Sequence, residues 1–184
     1  MRLRSLLLAS MIVLTACGGA EDAGDDEPLD DATAAEALSR GSNAKTAFRF
    51  FVAKGLSDVQ AAGIVGNLQQ ESSVDPHAIQ PGGPGRGIAQ WSVGARWNAS
   101  RGDNLASFAT EHGGSPWSID TQLAFIWFEL QSFPTYGLAE LRRARTIDAA
   151  VLAFQREFEV CGNCKATRRI QFAKAALAAY GGGR

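Results

Sequence analysis

The chain has 184 residues, of which 46% are hydrophobic and 20% charged, and carries a formal net charge of −1. Near balance, scattered basic residues and no Walker-type glycine loop argue against a nucleic-acid footprint or a nucleotide cradle. The only histidines, His77 and His112, lie far apart in sequence, so no metal site is expected.

The first element is an address. Arg2 and Arg4 precede an apolar run over residues 6–14, which closes in Leu14-Thr15-Ala16-Cys17. A short basic stretch, a short apolar core and small residues before a cleavage point describe a secretory signal. The run is well below the roughly 20 residues that a bilayer-spanning helix needs. Leu-Thr-Ala-Cys resembles a bacterial lipobox. Residues 1–16 are therefore expected to be a lipoprotein signal peptide, with Cys17 as the lipidated first residue of the mature chain. Gly18 follows, not an aspartate, which directs the expectation to the outer membrane facing the periplasm if the cell is Gram-negative. Residues 17–41 then read as an acidic disordered linker. Glu21, Asp22, Asp25, Asp26, Glu27, Asp30, Asp31 and Glu36 meet no basic residue before Arg40, and such a composition buries too little surface to offset chain entropy.

Residues 42–181 form the expected folded domain, with fifteen Lys/Arg against eleven Asp/Glu from residue 42 to the end. Ser42 opens a helix carrying Ala44, Ala47, Phe48, Phe51 and Val52 on one side, and Gly55 stops it. Ser57 and Gln60 have capping-box spacing and open a second helix, in which Ala61, Ile64, Val65 and Leu68 make an apolar stripe. Asp75-Pro76 ends that helix, and Pro81-Gly82-Gly83-Pro84-Gly85 is a loop. Ser118 starts a helix with Leu123, Ile126, Trp127 and Leu130 inward. Thr146 starts another with Ile147, Ala150, Val151, Phe154 and Phe158. A last helix over residues 165–180 closes at Gly181-Gly182-Gly183. The fold class is mainly α, with a glycine-rich irregular or short-β segment after Ser72.

Glu71 shares a helix face with Ile64 and Leu68. At the margin of a core, desolvation and the negative end of the helix should both raise its pKa. A carboxylic acid protonated near neutral pH can donate to a glycosidic oxygen. The plainer alternative is a solvated glutamate at a helix end. Downstream, Gly85 and Gly87 permit close backbone approach, Gln90 offers an amide to a sugar, and Trp91 offers a ring to stack on one. Asp75, and Glu129 on one face with Gln122 and Ile126, are candidates for a second catalytic carboxylate.

Asn67-Leu68-Gln69-Gln70-Glu71-Ser72, Asp75-Pro76, Gly87-Ile88-Ala89-Gln90-Trp91, Gln122-Leu123 and Phe128-Glu129-Leu130 resemble the phage tail lysozyme domain. Phe154, Phe158-Glu159, Arg168-Arg169 and Ala173 are similar to its C-terminal helices. The family is related to goose-type lysozymes and soluble lytic transglycosylases. The resemblance implies a lysozyme-like α fold, Glu71 as the catalytic glutamate, and residues 87–91 lining a cleft, so Gly87, Ile88, Gln90, Trp91 and Gln122 become substrate-binding candidates. The implied activity is cleavage of the β-1,4 bond between N-acetylmuramic acid and N-acetylglucosamine in peptidoglycan. Hydrolysis is the lysozyme outcome, and a 1,6-anhydro product is the lytic transglycosylase outcome. A non-catalytic wall-binding lipoprotein and an antibacterial effector are the other readings. No cofactor is expected, and a monomer is. Cys161 and Cys164 read first as a local disulfide in an oxidising compartment, with free thiols or a shared metal as the alternatives.

Overall fold

A computed structural model describes residues 26–39, 42–100, 102–160 and 164–183. Its elements in chain order are α1 (Asp31–Ser39), α2 (Ser42–Ala53), α3 (Asp58–Ser72), β1 (Gly85–Arg86), β2 (Trp91–Ser92), α4 (Leu105–Glu111), α5 (Ile119–Ser132), α6 (Leu138–Arg143), α7 (Ile147–Phe154) and α8 (Ala166–Tyr180). A 3-10 turn, Pro134–Tyr136, precedes α6, and a π turn, Gln155–Glu159, extends α7. The mainly α reading holds, and the glycine-rich segment contains the two-stranded antiparallel hairpin β1–β2.

The central element is α3. Its start is the predicted capping box: Ser57 Oγ accepts from the Gln60 amide while the Gln60 side chain accepts from the Ser57 amide. Its surroundings differ from the predicted stripe, because every residue from Ala61 to Gln69 is buried. The glycines explain how neighbours close in on all sides. A Cβ at Gly63 would lie 2.6 Å from Ala150 Cβ of α7, and one at Gly66 would lie 2.4 Å from the Arg169 carbonyl oxygen of α8. Side-chain-free positions let both backbones pack directly on α3. The helix ends four residues before Pro76, and Ser73 and Val74 adopt left-handed φ values of 57° and 55°.

The predicted helices at Ser42, Ser118, Thr146 and residues 165–180 are present. The short α4, capped by Asn104, is an addition to the sequence reading. Phe158 falls on the π turn and not on a regular continuation of α7.

The expected disordered linker is corrected from residue 26 onward. Asp30 caps α1 by accepting from the Thr33 amide and hydroxyl. Ala34 and Leu38, four residues apart and hence on one face, are buried. Asp26 accepts from the Thr167 and Arg168 amides at the start of α8, where free N–H groups and the helix dipole favour an anion. Gln171 brackets the Leu29 backbone, and Tyr180 donates to the Leu38 carbonyl at 3.2 Å. Acidity therefore does not keep this stretch solvated: one carboxylate caps its own helix and another caps α8. The signal peptide, Cys17 and Cys161 lie outside the described residues. Cys164 is disulfide-bonded.

Candidate active site

Glu71 stands on the last turn of α3, and what reaches it is a guanidinium. Arg169 of α8 runs between the two helices with only 4% of its side chain exposed. Its Nε donates to the Cys164 carbonyl, its Nη1 to Asn67 Oδ1 at 2.9 Å, and its Nη2 to Glu71 Oε1 at 2.5 Å. Asn67 is itself fixed, since its Nδ2 donates to the Gly63 and Val151 carbonyls at 2.8 and 3.2 Å. The expected apolar margin is thus corrected: Glu71 is ion-paired, and 19% of its side chain is open to the cleft. A buried arginine requires a carboxylate and further acceptors, and Asn67 and Glu71 supply them from one helix.

The hairpin hangs beside this pair. Ser72 Oγ donates to the Ile88 carbonyl at 2.9 Å, tying the turn at residues 87–90 to the end of α3. Gln122, fully buried on α5, holds the same turn from behind. Its Oε1 accepts from the Ile88 amide at 2.9 Å, and its Nε2 donates to the Pro76 and Pro116 carbonyls at 2.9 and 2.7 Å. A Cβ at Gly87, whose φ is +69°, would come within 2.7 Å of that amide. Glycine is required here for both reasons. Gln122, Ile88 and Gly87 therefore shape the cleft from behind and are corrected as substrate contacts. Gln90 does face the cleft, its Nε2 donating to the Gly87 carbonyl.

Trp91 is 1% exposed and forms the cleft floor, so the expected sugar-stacking face is corrected to a packed one. It leans on Phe125 at 5.6 Å between ring centroids, and its indole N–H donates to Glu129 Oε2 at 3.1 Å. Arg96 completes that carboxylate's shell, with Nε to Oε1 at 2.7 Å and Nη2 to Oε2 at 2.8 Å. The guanidinium lies over the rings of both Tyr136 and Phe158, and its Nη1 donates to the Phe158 carbonyl. Burial is the largest influence on Glu129 and raises its pKa against the pull of Arg96 and Trp91. Burial also opposes the charge on Arg96, but the hydrogen bonds and charge of Glu129 outweigh it and raise that group. The bidentate fork is the geometry of an ionised pair, and we take the pair as ionised. With both oxygens engaged, Glu129 is an anchor for Trp91 and Arg96 and not a free nucleophile. Asp75 is exposed and turned to its own backbone, accepting from the His77 amide at 2.9 Å. It does not line the cleft.

The second carboxyl in the cleft is Glu159, at the end of the π turn. Its Oε1 is buried and has no hydrogen-bond partner. Burial first, and the neighbouring charge of Glu71 second, push its pKa up to about 8. The cleft between Glu71, Glu159, Gln90, Trp91 and Arg96 measures about 190 Å³. A neighbouring cavity of about 400 Å³ shares Ala95 and Arg96 with it and extends past Glu129 to Phe133 and Tyr136. The smaller space is below the roughly 300–1,000 Å³ of sites that enclose a ligand. It can hold part of a polymer whose remainder lies along the neighbouring cavity.

Sequence reasoning missed Arg169, Arg96 and Glu159 as site residues. Arg169 had a signal: it lies three and four residues before Phe172 and Ala173, on the buried face of α8, where a charge demands a partner. Nothing local marks Arg96 or Glu159, because both matter through contacts distant in sequence. The sequence model of a family described as phage tail lysozyme matches residues 42–180. No curated protein matches this chain. The chain belongs to the phage tail lysozyme family, and that membership carries a lysozyme-like, peptidoglycan-degrading role.

Proposed function

We propose that this member of the phage tail lysozyme family cleaves the β-1,4 bond between N-acetylmuramic acid and N-acetylglucosamine, with Glu71 as the general acid. One observation carries the reading: of the three carboxylates proposed from the sequence, Glu71 alone stands at the cleft with part of its side chain open. Gln90 beside it offers an amide to the sugar, and the packed hairpin fixes both groups in place. A general acid must come within hydrogen-bond reach of the oxygen it protonates, and the end of α3 gives Glu71 that access.

Hydrolysis to a reducing end, as in a muramidase, is the first form of this proposal. A second form ends in a 1,6-anhydro product, by internal attack of the muramic acid C6 hydroxyl. It is favoured by the engagement of Glu129 with Arg96 and Trp91 and by the turn role of Asp75, which leave neither free as an ionised nucleophile.

The export motif supports a lipid-anchored protein of the cell envelope, with Cys17 modified and the domain acting as a monomer on wall glycan.

The experiment is release of muropeptides from purified sacculi, followed by mass spectrometry of the ends. Glu71→Gln should abolish release while retaining the fold and sacculus binding. Release at the wild-type rate by that variant removes the catalytic assignment.

A further inference from the structure

We infer that Glu159 is the proton store of this cleft: from the same cleft wall as Glu71 it supplies the proton that Glu71 passes to the glycosidic oxygen. The inference rests on the reading of Glu71 given above and adds a residue that this reading does not use.

An ion-paired carboxylate has no proton to give, and Glu71 is paired with Arg169 at 2.5 Å. A general acid in this position needs a source. Glu159 lines the same cleft. The residue is half-buried, and its Oε1 is shut away from solvent without a donor, which disfavours the carboxylate and tolerates the acid.

The charged groups around it do not change this. From α3 comes Glu71, from α8 Arg169, from the loop after β2 Arg96, and from α5 Glu129. The two carboxylates repel a further negative charge. The two arginines attract one, yet every nitrogen of both already donates elsewhere. Arg169 donates to Cys164, Asn67 and Glu71, and Arg96 to Glu129 and Phe158. Neither guanidinium is hydrogen-bonded to Glu159 Oε1. The upward shift of its carboxyl to about 8, caused first by burial and then by Glu71, agrees with this geometry. Glu159 therefore keeps its proton across the neutral range. The π turn that delivers Glu159 is itself a rare element, found frequently at functional sites.

The step balances as follows. Glu159 gives its proton to Glu71, and Glu71 gives it to the leaving oxygen as the C–O bond breaks and its electron pair moves to that oxygen. Water, or the muramic C6 hydroxyl, bonds to the anomeric carbon and releases one proton to the carboxyl pair. The pair is restored. Glu71 is the catalytic residue, and Glu159 is a positioning residue that acts through it.

The test is the pH–rate profile of muropeptide release by wild type, Glu159→Gln, Glu159→Asp and Glu71→Gln. The pair loses its proton as pH rises through about 8, so the wild-type rate should fall about tenfold per pH unit above that point. Glu159→Gln should reduce the rate about 100-fold at neutral pH, and its residual rate should lack the alkaline limb. Glu159→Asp should recover part of the rate with the limb displaced. A Glu159→Gln rate within about twofold of wild type, with the limb intact and Glu71→Gln silent, overturns this inference alone. Release by Glu71→Gln overturns the underlying reading instead. If Glu159→Gln loses its circular dichroism signature, the Glu159 δ-carbon of the wild type is titrated by NMR. Protonation through neutral pH sustains the inference, and titration in the ordinary carboxylate range ends it.

Discussion

Glu129→Gln separates an anchoring carboxylate from a catalytic one. The wild-type side chain is 2% exposed and accepts three hydrogen bonds, at 2.7 and 2.8 Å from Arg96 and 3.1 Å from Trp91. The amide replaces one acceptor by a donor that faces another donor, and it leaves the guanidinium without a counter-charge. Breaking a buried pair in this way costs about 3–5 kcal/mol. Arg96 is 27% exposed and keeps the Phe158 carbonyl, which places the loss near the lower end, about 3 kcal/mol. For a domain of this size that is a fall in Tm of roughly 6–12 °C. Urea denaturation followed by tryptophan fluorescence measures it, since Trp91 lies on the broken network. The double variant Arg96→Met, Glu129→Leu should return to within about 1 kcal/mol of wild type, because well-packed apolar groups commonly replace a buried ion pair without loss. Wild-type stability in Glu129→Gln together with lost muropeptide release would refute the reasoning and restore Glu129 as a catalytic group.

Gly66→Ala places a methyl 2.4 Å from the Arg169 carbonyl and 2.8 Å from Ala173 Cβ. It should cost about 1–3 kcal/mol and lower activity by displacing Arg169, as thermal melts and muropeptide release would show. The raised carboxyl of Glu159 also predicts a pH dependence of stability. The folded state holds a proton that the unfolded chain releases, so this contribution is complete below the ordinary carboxylate range and disappears as pH rises through about 8. Denaturation between about pH 5 and pH 9 should show that decline in wild type and a flatter profile in Glu159→Gln. Cys17→Ala should move the protein from the membrane to the soluble envelope fraction and abolish incorporation of labelled fatty acid, read by fractionation and autoradiography.

Helix starts were legible because their signals are local. The Ser57–Gln60 box and the Thr146 cap, which accepts from the Ala149 amide, each lie within one turn. α1 was obscured by composition: the acidic run over residues 21–31 dominates the window that contains its start, and only Ala34 and Leu38 reveal a buried face. The place of Glu71 could be read, since a helix end followed by a glycine hairpin brings a carboxyl to a cleft. Its company could not. Arg169 arrives from 98 residues away, and an ion pair across a tertiary contact leaves no period in either helix. The same limit governs the choice between Glu129 and Glu159. Both are glutamates beside aromatic residues, and only the path of Arg96 over Tyr136 and Phe158 decides which of them is neutralised by a cation. Trp91 shows the limit of side-chain chemistry: a flat ring suited to a sugar is equally suited to a core.

The central claim is that a single accessible carboxyl at the end of α3 breaks the wall glycan. Purified sacculi incubated with equal amounts of folded wild type and Glu71→Gln test it most directly, with the soluble products weighed by mass spectrometry. The account predicts disaccharide-containing fragments from wild type and none from the variant. Equal yields of the same fragments from both would contradict it.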